Sequence, residues 1–166
     1  MKTYAKEPKK IIILPGWQDT PKLKPYQRLA QKAQEKGYAV ELINIDWKKT
    51  LSSQVFPVSS NATIFGFSLG AILAWLVAQK NPCQHLILAS MTPHYSFNNQ
   101  AIKKSLIDLI GEDSVNDIIN NLTSSHQAQK QTILYGDLEN EPADIIVQNT
   151  DHELTSNYID EVVSIL

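Results

Sequence analysis

The hydrophobic residues of this chain are grouped in short apolar runs, which alternate with longer stretches that suit amphipathic or buried helices. Six runs are predicted strands, namely residues 9–14, 38–45, 62–67, 85–89, 132–135 and 143–147. Five stretches are predicted helices, namely residues 25–36, 71–79, 99–110, 113–122 and 156–166. Because the first run ends in four consecutive apolar residues, it is typical of a strand buried on both faces of a parallel sheet. The alternation predicts an α/β fold with a mostly parallel, six-stranded sheet.

The longest connection between predicted strands covers residues 92–130. A connection of that size without secondary structure is uncommon in a compact domain, but this one contains two of the predicted helices. We therefore expect a single domain over residues 1–166, in which residues 92–130 form a small helical cap. Residues 46–58 form a polar connection in which we expect one or two helical turns.

The composition limits the kind of partner that this chain can have. Lysine and arginine number 15 against 17 acidic residues, which gives a net charge of -2, so we expect no nucleic-acid partner. The apolar residues 11–14 are too few for a signal peptide or a membrane span, so we expect no membrane association and a cytoplasmic location. The single Cys83 cannot form an internal disulfide, which fits a reducing compartment.

A serine flanked by glycines lies between the third predicted strand and the apolar helix that follows it. The segment from Gly66 to Gly70 reads Gly-Phe-Ser-Leu-Gly. A serine on so tight a strand-to-helix turn takes a positive φ angle and lies above the end of the sheet, where only small neighbours avoid a clash. The segment therefore has the form of a nucleophile elbow with Ser68 as the nucleophile, and at this point the sequence resembles the α/β-hydrolase superfamily. The alternative is an ordinary glycine-rich turn with a helix-capping serine.

The resemblance covers residues 9–166 in topology, although only short motifs carry it in sequence. The six predicted strands match the third to eighth strands of the family, so the two strands that usually lead the fold are missing. The resemblance implies a doubly wound sheet with the strand order 2-1-3-4-5-6, in which ligands bind at the carboxyl ends of the strands near the switch point. The compact form, with Pro15-Gly16-Trp17 after the first strand, looks most like the single-domain bacterial serine hydrolases.

A serine nucleophile needs a base within hydrogen-bond reach and an acid that orients the base. His152 follows the last predicted strand, where the family keeps its catalytic histidine, so the resemblance assigns it as the base. His94 also follows the carboxyl end of a strand, but it precedes the acid in chain order. His85 belongs to the amino end of the sheet, and His126 to a polar link that we expect to be solvated. The alternative for His152 is a surface histidine that caps the final helix.

The acid is expected in the turn after the fifth predicted strand. The family spacing of a glycine, two residues and the acid selects Glu139, whereas aspartate is the commoner residue in this role and favours Asp137. Both stay open here, with Asp46 and Asp151 as further alternatives. The chosen carboxylate would hold His152 in the required tautomer and stabilise its charged form, without taking a proton itself.

Two backbone N–H groups are expected to stabilise the oxyanion of the tetrahedral intermediate. Leu69 follows the nucleophile at the start of a helix, where N–H groups lack intrahelical acceptors. The second donor is expected on Trp17, because the resemblance matches Pro15-Gly16-Trp17 to the His-Gly-x segment of the family. Pro15 departs from the family's histidine, but the donor lies two positions further on. The alternative for Trp17 is a role in the core alone.

The cap is expected to bring Met91, His94 and Tyr95 to the mouth of a substrate pocket, although these residues would equally serve as packing between helices. No metal-ligand cluster, P-loop or dinucleotide fingerprint is present, so no cofactor is implied. The resemblance implies a serine hydrolase that cleaves a small ester, thioester or amide of an acyl substrate. Two alternatives stay open: an acyltransferase or thioesterase acting on a carrier-bound acyl group, and a binding protein that keeps the fold without turnover.

Overall fold

The computed structural model describes residues 8–166 of the chain. The six strands are β1 Lys10–Leu14, β2 Ala39–Leu42, β3 Ala62–Phe67, β4 Cys83–Ala89, β5 Ala128–Gly136 and β6 Ile145–Val147. The six α-helices are α1 Lys24–Glu35, α2 Leu69–Lys80, α3 Pro93–Asn98, α4 Gln100–Ile110, α5 Glu112–Asn121 and α6 Ser156–Ser164. Two short 3₁₀ turns are formed by Ser52–Gln54 and Asp137–Glu139.

The strands form one sheet in which every neighbouring pair is parallel, with the order β2-β1-β3-β4-β5-β6. This arrangement confirms the predicted α/β fold and strand order. Helices α1 and α6 pack on one face of the sheet, where Tyr26 and Tyr158 are fully buried. Helices α2, α4 and α5 cover the other face. The chain reverses its direction of winding between β1 and β3, so the carboxyl ends of these two strands border the crevice in which such sheets bind ligands.

Helix α2 is the most enclosed helix of the fold. Ten of its twelve residues are buried, so it has no polar face and must be covered on all sides. The sheet covers one side, while α4 and α5 contribute Leu106, Val115 and Ile118 to the same core. The helices of residues 92–130 therefore complete the core around α2, in addition to lying above the carboxyl ends of the strands.

Two features of the connection after β4 differ from the sequence prediction. The structure adds the short helix α3, whose first residue Pro93 suits a helix start because proline lacks an N–H and already has a helical φ angle. Strand β5 begins at Ala128, four residues earlier than expected. The first half of β5 is partly exposed and carries polar residues. This half of β5 pairs with Cys83 and His85 of β4. An apolar pattern could not identify either feature.

His85 lies inside β4, is 6% exposed, and its Nε2 atom is 2.8 Å from the hydroxyl oxygen of Thr132. Burial, with a contribution from the charge of Lys130, lowers the pKa of His85 from 6.5 to about 4. The unfolded chain therefore binds more protons than the folded chain between these two pH values. The contribution of His85 to the free energy of unfolding is fully present above pH 6.5 and decreases as the pH falls. It stops decreasing below about pH 4.

We expect this single group to lower the free energy of unfolding by up to about 3 kcal/mol between pH 7.5 and pH 4. Urea unfolding at both pH values should show a smaller loss in His85→Gln, whose amide does not titrate. The difference between the two proteins isolates His85 from the carboxyl groups that also titrate in acid. An equal loss in both proteins would mean that His85 does not contribute.

Candidate active site

Ser68 lies between β3 and α2 with a φ angle of 53° and a ψ angle of -128°. This conformation is costly for a residue with a side chain, and it lifts the residue out of the line of the strand. The turn is tight enough that a Cβ atom at Gly66 would overlap the carbonyl oxygen of Gly70, and one at Gly70 would overlap that of Pro15. Both glycines are therefore required by close backbone approach, which is the geometry of a nucleophile elbow.

A continuous chain of hydrogen bonds joins Ser68, His152 and Glu139. The Nε2 atom of His152 is 2.8 Å from the Ser68 hydroxyl oxygen, and its Nδ1 atom is 2.8 Å from Oε1 of Glu139. His152 lies in the loop between β6 and α6, and its ring packs against that of Phe67 at 5.5 Å between centroids. The three side chains come from separate segments, which the parallel sheet brings to one edge. We call this chain of hydrogen bonds the relay.

Glu139 lies in the 3₁₀ turn after β5, and its carboxylate is held by three donors. Oε1 faces His152, while Oε2 accepts from the Ser90 hydroxyl at 2.7 Å and from the backbone N–H of Gly136 at 2.8 Å. Burial acts to raise the pKa of Glu139, but the hydrogen bonds from His152, Ser90 and Gly136 outweigh it and hold that pKa below its ordinary value. The group is therefore an oriented carboxylate at neutral pH.

Asp137 has a different set of contacts from Glu139. Its Oδ1 atom accepts from the backbone N–H of Thr150 at 2.9 Å, and hydrogen bonds from Thr150 and Asn149 lower its pKa. Leu138 N–H also donates to the carbonyl oxygen of Thr150. Of the two acids that the sequence left open, the structure thus brings Glu139 to His152, while Asp137 ties its own turn to the loop that carries His152.

The other histidines lie away from Ser68. His94, in α3, and His126 pack edge-on against the two-ring system of Trp75, with centroids at 5.0 and 4.8 Å. His126 is partly buried and its Nε2 atom is 2.8 Å from Oε1 of Gln131, so it is more enclosed than the solvated link that the sequence suggested. His85 lies in the first half of β4, remote from the carboxyl edge.

The loop after β1 lies directly against the nucleophile, because a Cβ atom at Gly16 would be 3.2 Å from that of Ser68. Gly16 N–H donates to the Tyr26 hydroxyl at 2.9 Å, and that hydroxyl donates to Asp19 at 2.6 Å. Burial raises the pKa of Tyr26, which keeps it a neutral donor. Within residues 8–166, the backbone N–H groups of Trp17 and Leu69 donate to no protein acceptor. The two N–H groups predicted as oxyanion donors are thus without a protein acceptor in the part of the chain that the structure describes.

A cavity of about 300 Å³ lies over the Ser68 hydroxyl. Its walls are formed by Gly16, Trp17, Asp19, Phe67, Ser68, Leu109 and His152. The three cap residues predicted to bind substrate lie elsewhere. Met91 lines a separate cavity on the Glu139 side of His152, Tyr95 lines another beside Ile133, and His94 packs on Trp75. Leu109, from α4, is the cap residue that the structure places above Ser68.

Ser90 is the functional-site residue that the sequence analysis missed. It follows β4 with a φ angle of 53°, and its hydroxyl donates to Glu139. Its hydroxyl also lies 3.1 Å from that of Tyr158, which donates to the carbonyl oxygen of Leu134. No motif surrounds Ser90 in the sequence. Its one signal is its position directly after a strand, at the edge of the sheet where the elbow also lies.

Comparison with solved structures identifies proteins of similar fold. Mouse alpha/beta hydrolase domain-containing protein 10 matches with a TM-score of 0.68 at 13% identity, over 94% of this chain and 87% of that one. A candidate hydrolase from Agrobacterium vitis S4 matches with a TM-score of 0.63 at 14% identity, over 94% and 85%. The NocB thioesterase domain from the nocardicin cluster matches with a TM-score of 0.55 at 13% identity, over 93% and 92%. No protein-family model and no curated protein sequence matches the chain.

Within residues 8–166 there is no group of three or more histidine, cysteine or acidic side chains that could hold a metal ion. None of the helices in this part of the chain combines the length and the apolar character that crossing a bilayer requires.

Proposed function

We propose that this chain, which has the α/β-hydrolase fold, is a serine hydrolase that cleaves a small ester, thioester or amide. The observation that carries the proposal is the relay, in which Ser68, His152 and Glu139 are joined by two hydrogen bonds of 2.8 Å. A serine hydroxyl is a weak nucleophile unless a base is placed to take its proton, and the base works best when a third group orients it. The relay supplies both.

The first half of the reaction forms an acyl-enzyme. Neutral His152 accepts the Ser68 proton at Nε2 while the serine oxygen attacks the substrate carbonyl carbon. Glu139 accepts from Nδ1–H and stabilises the positive charge that develops on the ring. The tetrahedral intermediate collapses when His152 gives its proton to the leaving oxygen, sulfur or nitrogen, which departs as an alcohol, thiol or amine. The acyl group then remains on Ser68 as an ester.

In the second half, water replaces the leaving group. His152 takes a proton from the water as its oxygen attacks the acyl carbon, and it returns that proton to the Ser68 oxygen when the second intermediate collapses. In both intermediates the oxyanion would accept hydrogen bonds from the N–H groups of Leu69 and Trp17. Leu69 is also the first residue of α2, so the positive end of that helix dipole favours the same negative charge.

A fluorophosphonate probe tests this proposal because it reacts covalently only with a serine that has been activated as a nucleophile. We expect labelling of the wild-type protein at Ser68, and its loss in Ser68→Ala. The matched control is Ser96→Ala, since Ser96 is also buried but bonds to Met91 and to the carbonyl oxygen of Thr92 instead of a histidine. Labelling that survives Ser68→Ala, or a folded wild-type protein that never labels, would reject the proposal.

A further inference from the structure

A tight turn after β1 carries Trp17, whose backbone N–H is one of the two groups proposed to bind the oxyanion. The turn runs from Gly16 to Asp19 and is closed by the backbone N–H of Asp19, which donates to the carbonyl oxygen of Gly16 at 3.0 Å. Gln18, one of its two central residues, has a φ angle of 58°. A positive φ angle is costly for a residue with a side chain, so contacts outside the turn must favour this shape. We call residues 16–19 the oxyanion turn.

The direction of the Trp17 N–H depends on the peptide group that joins Gly16 to Trp17. In a planar trans peptide the C=O and the N–H point in opposite directions, so a bond that holds the carbonyl oxygen also orients the N–H. Here that bond is the one from Asp19 N–H to the Gly16 carbonyl oxygen. Rotation of the peptide by half a turn would break it and reverse the N–H. Gly16 has no Cβ atom to hinder such a rotation, so hydrogen bonds must prevent it.

The hydroxyl of Tyr26 joins the two ends of the oxyanion turn. Tyr26 belongs to α1, and its side chain is fully buried in the core beneath that helix. Its oxygen accepts from the backbone N–H of Gly16 at 2.9 Å, and its O–H donates to Oδ2 of Asp19 at 2.6 Å. One hydroxyl thus uses both its acceptor and its donor capacity on the turn, and it ties the turn to a helix that the core holds in place.

This bridge lies close to the nucleophile but outside the cavity. A Cβ atom at Gly16 would be 3.2 Å from that of Ser68 and 3.3 Å from Oδ2 of Asp19. Tyr26 is absent from the walls of the cavity over Ser68. The bond from Gly16 N–H is buried, so loss of the hydroxyl would leave a buried donor without its acceptor. Such a donor is costly, and the turn would rearrange to pair it.

Resting on the proposed hydrolase function, we propose that Tyr26 is a positioning residue for the oxyanion donor on Trp17. By joining both ends of the oxyanion turn, its hydroxyl keeps the Gly16–Trp17 peptide in the one orientation in which the N–H can donate to the substrate oxygen. Tyr26 touches neither the substrate nor the relay, so it acts only through the turn. A donor fixed in advance stabilises the oxyanion better than one that must reorient while the charge develops.

Tyr26→Phe tests the assignment, because it removes one oxygen atom and keeps the ring in the core. We expect kcat on p-nitrophenyl butyrate to fall about 10- to 100-fold with little change in KM, since a misplaced donor weakens the transition state more than the bound ester. The inhibition constant of a short-chain alkyl trifluoromethyl ketone, whose adduct with Ser68 carries the oxyanion, should rise by a similar factor. Rates are expressed per folded molecule, with the folded fraction measured by circular dichroism.

The matched control is Tyr38→Phe. Tyr38 is also buried on this face of the sheet, and its hydroxyl donates to the carbonyl oxygen of Leu166 at 2.9 Å. It directly precedes β2, at the amino edge of the sheet, whereas Ser68 lies at the carboxyl edge. Both variants lose one hydroxyl that bonds to the backbone, and both should melt at a lower temperature. Only Tyr26→Phe is expected to change kcat and the inhibition constant.

Asp19 supplies a second test that leaves Tyr26 in place. Asp19→Ala and Asp19→Asn both remove the negative charge, but only asparagine keeps an oxygen that can accept from the Tyr26 hydroxyl. We expect Asp19→Ala to lose kcat as Tyr26→Phe does, and Asp19→Asn to recover most of that loss. Equal kcat values in the two Asp19 variants would reject the assignment, and this comparison is decisive even if Tyr26→Phe does not fold.

The assignment is also wrong if folded Tyr26→Phe keeps kcat within about twofold of the wild-type value, or if only its KM changes. A fall in kcat without a rise in the inhibition constant would equally contradict it, because the oxyanion would then be bound as before. Failure of the proposed function gives a different result: the wild-type protein hydrolyses the ester no faster than Ser68→Ala does.

Discussion

Replacing His152 by alanine is expected to lower kcat on a p-nitrophenyl ester by 10⁴- to 10⁶-fold, which is the order of the losses measured when a serine triad loses its base. The reason is geometric, because within residues 8–166 the only side-chain partner of the Ser68 hydroxyl is the Nε2 atom of His152. Without it the serine keeps its proton during attack. Because the proposed role of the ring is proton transfer, KM should change far less than kcat. Steady-state kinetics at saturating ester measure both quantities.

The control for this prediction is His94→Ala. His94 was the rival base by its position after β4, but its ring packs on Trp75 and does not line the cavity over Ser68. We expect its replacement to change kcat by only a few-fold, through altered packing of the cap. If His94→Ala abolished turnover while His152→Ala retained it, the relay seen in the structure would not be the catalytic one.

Replacing Glu139 by glutamine should lower kcat by about 10³- to 10⁴-fold with little change in KM. The amide oxygen is expected to occupy the position of Oε2, because Ser90 and Gly136 both donate to that atom. The amide NH₂ would then face Nδ1 of His152 and donate to it. His152 would carry its proton on Nε2, which is the atom that must accept the proton of Ser68. The substitution thus fixes the wrong tautomer and also removes the negative charge.

Asp137→Asn is the matched control, since it is the same kind of exchange two residues earlier. The Asp137 carboxylate accepts from backbone N–H groups, with Thr150 N–H donating to Oδ1, and an amide oxygen can accept such a bond equally well. We expect kcat within a few-fold of the wild-type value. A large loss in Asp137→Asn together with a mild one in Glu139→Gln, measured on the same ester, would transfer the role of the acid to Asp137.

The parts of the fold that depend on burial could be predicted from the sequence. Strands β1 and β3 are buried along almost their whole length. Their continuous apolar runs therefore reveal where the strands lie in the chain and indicate that they belong to a parallel sheet. Strand order is a different matter, because no local pattern determines which strands become neighbours. It came from the resemblance to a known fold. The polar first half of β5 and the short helix α3 could not be found, because neither has enough buried residues to produce a periodic pattern.

The candidate site also contains one residue that a local motif predicts and others that depend on contacts between distant parts of the chain. Ser68 lies in a motif whose glycines are required by local backbone contacts, so the motif itself carries the information. The choice between Glu139 and Asp137 depends on contacts with Ser90 and His152, which are 49 and 13 positions away along the chain. Met91 lines the cavity on the Glu139 side of His152, while His94 and Tyr95 belong to α3, whose direction no sequence pattern reveals. That helix turns His94 onto Trp75 and leaves α4 to supply the residue above Ser68.

The contrast between enclosed helix α2 and the loop of His152 has a consequence for how activity responds to perturbation. Ser68 directly precedes helix α2, which is buried on all sides, whereas the His152 side chain is 47% exposed. Segments with few buried contacts open at a lower free energy than the core of the same protein. When the loop that carries His152 moves away, His152 is separated from Ser68 although the sheet stays intact. On the proposed function, we therefore expect mild denaturants or heat to lower activity before they unfold the sheet.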